Sequence, residues 1–314
     1  MPLFHAIGEQ YVDHEIEHMR HTNGLAAKTF LFTGIALIAF AANSVLCRLA
    51  LGEELIDASG FTIIRLLSGT LVLLTILKIR GNKNKTPGNG SWPAGFLLFI
   101  YAAAFSFAYL SLDTATGALI LFGSVQLSII LLSLISGNRL HITEWAGVFL
   151  AFTGFIFLIL PGVSTPSIKG LLLMSISGIA WGIYTLKGRG SLNPLLDTAT
   201  NFSRTIPFII LLALLTFQNI HLSAQGILLA VLSGGIASGI GYAIWYVALA
   251  GLSSTQAAVV QLFVPVIAAL GGVIFVSEPI TSRLLLSGMM ILGGILLVVV
   301  GRYYCSRRSA DKKN

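Results

Sequence analysis

Two stretches decide the reading of this chain: FAANSVLCRLALGEELIDASGFTIIR, residues 40–65, and WGIYTLKGRGSLNPLLDTATNFSR, residues 181–204. The first carries Arg48, Asp57 and Arg65, and the second Arg189, Asp197 and Arg204, roughly 140 residues later. Only 10% of the 314 residues are charged and 55% are hydrophobic, so three rare charges returning in one order mark a duplicated unit. The same shift lays Phe40 on Trp181, and Tyr101, Phe105 and Tyr109 on Ser238, Tyr242 and Tyr246. It also lays the step Gly137-Asn138 on Ser277-Glu278.

The surroundings of both stretches are too apolar for one soluble core. A mean hydropathy of +0.88 places the chain in a bilayer, whose hydrocarbon needs about 20 apolar residues per helix. Ten such spans are expected, at roughly 29–48, 58–79, 93–111, 115–136, 143–161, 169–187, 198–217, 225–249, 255–276 and 283–302. The net charge of +7 does not indicate a nucleic-acid partner, because the basic residues gather at span ends without interleaved aromatics. With the N-terminus inside, about 14 Lys and Arg fall on the cytoplasmic side and about three (Arg48, Lys169, Arg283) opposite, so both termini are expected in the cytoplasm. Cys47 and Cys305 are too far apart in sequence to suggest a disulfide or a metal site.

The expected fold is therefore an all-α integral membrane protein of ten transmembrane helices. It divides into a cytoplasmic tail at 1–28, a five-helix unit at 29–161, a second at 169–302 and a basic tail at 303–314. Five is odd, so the second unit enters the membrane from the opposite side, giving inverted repeats. Such repeats alternate between inward-open and outward-open shapes around a site near the midplane.

Three patterns carry a family resemblance: Asn43-x4-Arg48 closing the first helix, Phe61-x3-Arg65 in the second, and Pro265 followed by Ser277-Glu278-Pro279 before the last. They resemble the EamA-type members of the drug/metabolite transporter superfamily, over about residues 29–302. The resemblance implies a basket of ten helices with its solute cavity between helices 1, 3, 4, 6, 8 and 9, and with helices 5 and 10 at the periphery. It also implies export of amino acids, related metabolites or toxic compounds from bacteria. The chain departs from the pattern in its first half, where Asn138 stands at the usual Glu and Val125 near the usual Pro.

Candidate site residues follow from what lipid cannot satisfy. Tyr101, Phe105 and Tyr109 share one face of helix 3, and Tyr242 and Tyr246 the matching face of helix 8. Phenols need hydrogen-bond partners, so these faces look inward, either to pack or to stack on a planar or amphipathic solute. By the same logic Phe40, Asn43, Trp181 and Tyr184 are placed on helices 1 and 6, and Ser124, Ser128 and Gln261 on helices 4 and 9, with interhelical hydrogen bonding as the alternative role. Gln126 faces elsewhere. Gly234, Gly235, Gly239, Gly241, Gly271 and Gly272 read as close-packing positions. Arg65 and Arg204, each about seven residues inside a helix, either attract a substrate carboxylate or are structural, by snorkelling or by bonding backbone carbonyls, with Asp197 two turns before Arg204.

Other motifs are weighed and set aside. His14-Glu15-Ile16-Glu17-His18 matches a zinc-protease pattern, with His21 nearby, but stands in a polar tail without a surrounding domain, and Met19 as the start would delete it. Lys28 and Ala39-Phe40-Ala41 resemble a signal peptide and its cleavage site, yet the same register recurs at Ala180-Trp181-Gly182. Asp113, Glu144, Asp197 and Glu278 all sit near span ends, which disfavours a proton relay through a midplane carboxylate. No enzyme chemistry, metal or cofactor is indicated. The expectation is a multi-pass secondary transporter of the bacterial inner membrane with a small-molecule substrate, acting as a monomer or homodimer. An intramembrane enzyme or a passive channel is the alternative.

Overall fold

Residues that satisfy the first free N–H groups set the starts of most helices in this chain. The computed structural model describes residues 2–80, 88, 90–137, 141–160, 166–188, 191–252 and 254–311, with side chains described from Ala27 to Gly301 apart from Ile159, Ser254 and Thr255. The His14 to His21 cluster, Asn138, Arg189, Cys305 and the basic residues from Arg302 onward lie outside the described side chains.

Ten helical segments follow in order. They are α1 (Pro2–Gly52), α2 (Ala58–Arg80), α3 (Trp92–Ala108), α4 (Thr114–Ile135), α5 (Ile142–Ile159) and α6 (Ile168–Lys187). Next comes α7, made of Pro194–Ser203 and Ile206–Thr216, and α8, made of Ala224–Val231, a π-wound stretch Leu232–Ile240, and Gly241–Leu249. The chain closes with α9, made of Ser254–Gln261 and Phe263–Val276, and α10 (Ser282–Asp311). No strand forms among the described residues; a single bridge joins Ile56 to Leu222. Eight segments are long and apolar enough to cross a membrane, α1 from Ala27 onward, while α3 and α5 are shorter apolar helices. The result is a multi-pass helical membrane protein.

Two spans expected to be continuous are interrupted, each by a proline. Pro207 lacks an N–H and its ring collides with the carbonyl four residues back, so α7 breaks at Arg204-Thr205. Pro265 removes the N–H that the Gln261 carbonyl would have received, and α9 breaks at Leu262. Side-chain caps start the helices cleanly: Asp57 accepts from Gly60 N–H at 2.9 Å, Ser167 from Gly170 at 3.0 Å and Ser223 from Gly226 at 3.0 Å. The cap of α7 is Asn193, accepting from Leu196 N–H at 3.3 Å. Asp57 and Asp197 are thus not counterparts: Asp57 caps α2, whereas Asp197 lies inside the first turn of α7 and accepts from the Ser191 hydroxyl.

Packing crosses between the halves. Helix α6 lies along α3 and α4, while α1 lies along α8 and α9. Helix α2 lies along the π-wound part of α8, and α5 pairs with α10. Small residues permit the closest approaches. A Cβ on Gly234 would run into the Arg65 carbonyl oxygen and the Ser68 hydroxyl, so only glycine lets α8 cross α2 there. Gly147 and Gly294 meet backbone to backbone between α5 and α10 in the same way.

Candidate functional site

A small cavity lies between the halves, lined from six helices. Helix α1 contributes Phe40 and Asn43, α3 Tyr101 and Phe105, α4 Leu121 and Phe122, α6 Trp181 and Thr185, α8 Tyr242 and Trp245, and α9 Gln261. These are the six helices, 1, 3, 4, 6, 8 and 9, that the family resemblance implies. The rings form a continuous wall. Trp181 stacks on Tyr242 with centroids 5.3 Å apart and an interplanar angle of 20°, and lies 4.7 Å from Tyr101. Phe40 leans on Tyr242 at 5.6 Å and meets Trp245 edge-on at 5.7 Å. Such pairs contribute about 0.5–1.5 kcal/mol each beyond burial.

Seven of the twelve expected contact residues line this cavity: Phe40, Asn43, Tyr101, Phe105, Trp181, Tyr242 and Gln261. The other five are engaged elsewhere. Gly178 and Gly182 let α6 ride directly on α4, so Ser124 is pressed against Gly178, while Ser128 abuts Gly182 and donates to the Val125 carbonyl at 2.8 Å. Tyr184 stacks behind Trp181 at 5.2 Å, with its hydroxyl 3.5 Å from the Asn201 amide. The hydroxyls of Tyr246 and Thr198 are 2.8 Å apart, drawing that tyrosine toward α7. Tyr109 is fully buried beneath the cavity, packed edge-on against Phe105 and donating to the Thr114 carbonyl at 3.3 Å.

Trp245, Thr185, Leu121 and Phe122 are cavity residues that the sequence pattern does not single out. Tyr242 and Trp245, three residues apart on the α-wound part Gly241–Leu249, face the cavity in place of the four-residue stripe, while Tyr246 is held by Thr198. Leu121 and Phe122 carry no polar signal that would separate a cavity wall from ordinary packing. Asn43 is tied to the π-wound stretch, accepting from Ser233 at 2.8 Å and Ser238 at 3.4 Å.

The two arginines each bury an Nη1 without a hydrogen-bond partner but differ in exposure and in their neighbours. Arg65 is 2% exposed and does not snorkel; its Nη2 donates to the Tyr101 hydroxyl at 3.0 Å. The guanidinium carbon sits 4.7 Å from the Phe105 centroid and 5.3 Å from that of Tyr101, interactions worth about 0.5–2 kcal/mol each. Its Nη1 is buried without a partner. Arg204 is half-buried at the break in α7, over the Trp92 ring at 5.6 Å.

An ion pair between the halves lies two contacts beyond the cavity wall, reached from Phe105 through Tyr109. Arg48 Nε donates to Glu278 Oε1 at 3.0 Å and its Nη1 to the Tyr109 carbonyl at 3.2 Å, with Asp113 a looser partner at 3.6 Å. The second Glu278 oxygen accepts from Thr114 N–H at 2.8 Å, placing a carboxylate on the positive end of α4. Beyond Glu278 lies a second, roomier cavity, whose walls include Ser111, Asp113, Thr116, Glu278 and Thr281. Phe105, Tyr109, Arg48 and Glu278 thus form one contact chain between the two spaces. At the opposite end, the side chains of Thr185 and Gln261 are only half-buried.

Comparison with known proteins places this architecture. Residues 168–300 match the EamA-like transporter family. An uncharacterized protein of Pseudomonas aeruginosa is 48% identical over 275 residues, spanning 88% of this chain and 96% of its own. An uncharacterized transporter of Archaeoglobus fulgidus is 25% identical over 291 residues, 88% of this chain and 99% of its own. A solved crystal structure at 18% identity has the same fold, with a TM-score of 0.59 over 85% of this chain and 96% of the other. On the sequence matches, the chain belongs to the EamA-like transporter family, within the drug/metabolite transporter superfamily.

Proposed function

We propose that this protein is a secondary transporter that exports small organic metabolites, amino acids or amphipathic compounds, across the bacterial inner membrane by alternating access. The observation that carries this reading is the aromatic cavity lined by six helices from both halves, with the Arg48–Glu278 pair two contacts beyond its wall. Aromatic linings bind planar apolar bodies, and a cavity between two bundles opens when one rocks against the other. The second cavity beyond the ion pair supplies the other end of a path.

The exchanged packing of α6 on α3 and α4, and of α1 on α8 and α9, supports two inverted repeats. So do the left-handed residues Gly137 (φ 88°) and Ser277 (φ 56°), which fall at the paired steps after α4 and α9. Lys78, Arg80 and Lys187, at the ends of α2 and α6, support a cytoplasmic location for those ends. No Asp or Glu lines the central cavity, which favours exchange or facilitated transport over proton antiport.

The test is uptake of labelled amino acids and amphipathic compounds by proteoliposomes, with and without a pH gradient. Saturable uptake of at least one solute, unaffected by the gradient, is expected. Absence of uptake across the panel would overturn the transporter reading, and gradient-driven accumulation would overturn the coupling.

A further inference from the structure

Resting on the reading of the central cavity as the solute site, we infer that its substrates are planar organic anions with one carboxylate-type head group, selected by Arg65 acting through Tyr101. Arg65 is 2% exposed, and a guanidinium keeps its charge under all physiological conditions. The groups around it, Tyr101, Tyr242 and Cys47, are neutral hydrogen-bonding side chains rather than carboxylates. Its faces are covered by Tyr101 and Phe105, both of which line the cavity, while Nη1 keeps unused donors one ring behind that wall. A buried cation without a counter-ion is costly, and a bound anion relieves that cost.

The hydrogen bond at Tyr101 gives the charge a route into the cavity. The Tyr101 oxygen accepts from Arg65 Nη2 at 3.0 Å, so its phenol proton is not used on Arg65; the neighbouring Tyr242 hydroxyl, also on the cavity wall, is its other hydrogen-bonding contact. A donor polarised by a cation binds a carboxylate more strongly than a neutral acceptor. The rest of the lining suits the body of such a ligand. Phe40, Trp181, Tyr242 and Trp245 supply an aromatic lining, and no lining residue is Asp or Glu. An ammonium group would meet the field of Arg65 with no carboxylate to answer it, so of the solutes proposed above amphipathic acids are favoured over amino-acid zwitterions, cations and neutral compounds. Arg65 is a positioning residue in this arrangement, and Tyr101 makes the contact.

Four ligands of one shape test the inference: 3-phenylpropionate, 3-phenylpropionamide, phenylalanine and phenethylamine, measured by equilibrium dialysis against the purified full-length protein in detergent. The anion is expected to bind about tenfold more tightly than each of the others, the size of one charge-assisted hydrogen bond. Arg65→Met is expected to remove that advantage while leaving the amide unchanged, and Arg65→Lys to restore most of it. Tyr101→Phe, which keeps the ring, is expected to weaken the anion alone. Should Arg65→Met fail to fold, the lysine variant and Tyr101→Phe carry the test.

Equal binding of phenylalanine or phenethylamine would overturn the inference, as would failure of the anion to bind. Equal weakening of all four ligands in Arg65→Met would overturn it too, by returning Arg65 to a structural role. Uptake measured with the same preparation separates this inference from the reading beneath it. Transport of another solute without anion binding refutes only the anion, whereas anion binding without transport of any solute refutes only the transporter.

Discussion

Counted from their caps, α2 and α7 each bury a polar residue eight positions in, but the chemistry differs. Eight residues beyond Asp57 stands Arg65, 2% exposed, and eight beyond Asn193 stands Asn201, 6% exposed. Arg65 donates to the Tyr101 hydroxyl, one ring from the cavity, while Asn201 accepts from Ser91 N–H at 2.9 Å and reaches the Tyr184 hydroxyl, which stands behind Trp181. The backbones approach in both cases over glycine, Gly234 against the Arg65 carbonyl and Gly95 against that of Asn201. The two halves therefore share a way of packing while only one places a cation beside the solute space.

The sharpest break of that comparison lies at the glycines. Gly234→Ala drives a methyl group into backbone, so it is expected to lower stability by about 1–3 kcal/mol. In Gly95→Ala the nearest atom is the Arg204 Cβ at 2.8 Å, with the Asn201 carbonyl at 3.2 Å, so a smaller loss is expected. Thermal melting of the purified variants decides, and equal losses would contradict the ranking.

Next come the rings. Trp181→Ala or Tyr242→Ala is expected to cut transport about tenfold with normal membrane insertion, since each removes one ring of a stacked pair in the cavity wall. Tyr246→Phe, whose hydroxyl faces Thr198, is expected to cost less than twofold. Unchanged rates in both alanine variants would return those aromatics to plain packing.

A smaller effect is expected at the ion pair. Glu278→Gln removes a charge from a bond whose carboxylate is 10% exposed, and transport is expected to change several-fold. Asp113→Asn, at a site 63% exposed, is expected to leave rate and melting unchanged. A larger effect at Asp113 would shift the principal partner of Arg48 from Glu278. Smallest of all, Ser124→Ala is expected to bind and carry solute as the parent does, because that side chain is spent in the α4–α6 contact.

Much of this arrangement is legible in the amino-acid sequence. Apolar length locates ten spans, and the positions of Tyr101, Phe105 and Tyr242 point to inward faces that do line the cavity. The matching of Arg65 with Arg204 misleads because it aligns residue identity where depth matters. Depth is counted from the cap, and Asn193 rather than Asp197 caps α7, leaving Arg204 three residues past the matched place and only half-buried. Ser124 and Ser128 are unreadable for another reason: their surroundings are set by Gly178 and Gly182 on a helix more than 40 residues away.

The π-wound stretch of α8 gives one wall of the cavity a means of turning. From Leu232 to Ile240 each N–H reaches a residue further back than in an α-helix, so extra chain is stored in the span without a loop or a break. Rewinding one such turn into α geometry would rotate Tyr242 and Trp245 by about 100° against the Asn43 and Ser233 contact, the angle of one helical residue. Every peptide group would still find a partner, a strict requirement in hydrocarbon. Helix α8 is in this sense a spindle with slack already wound onto it.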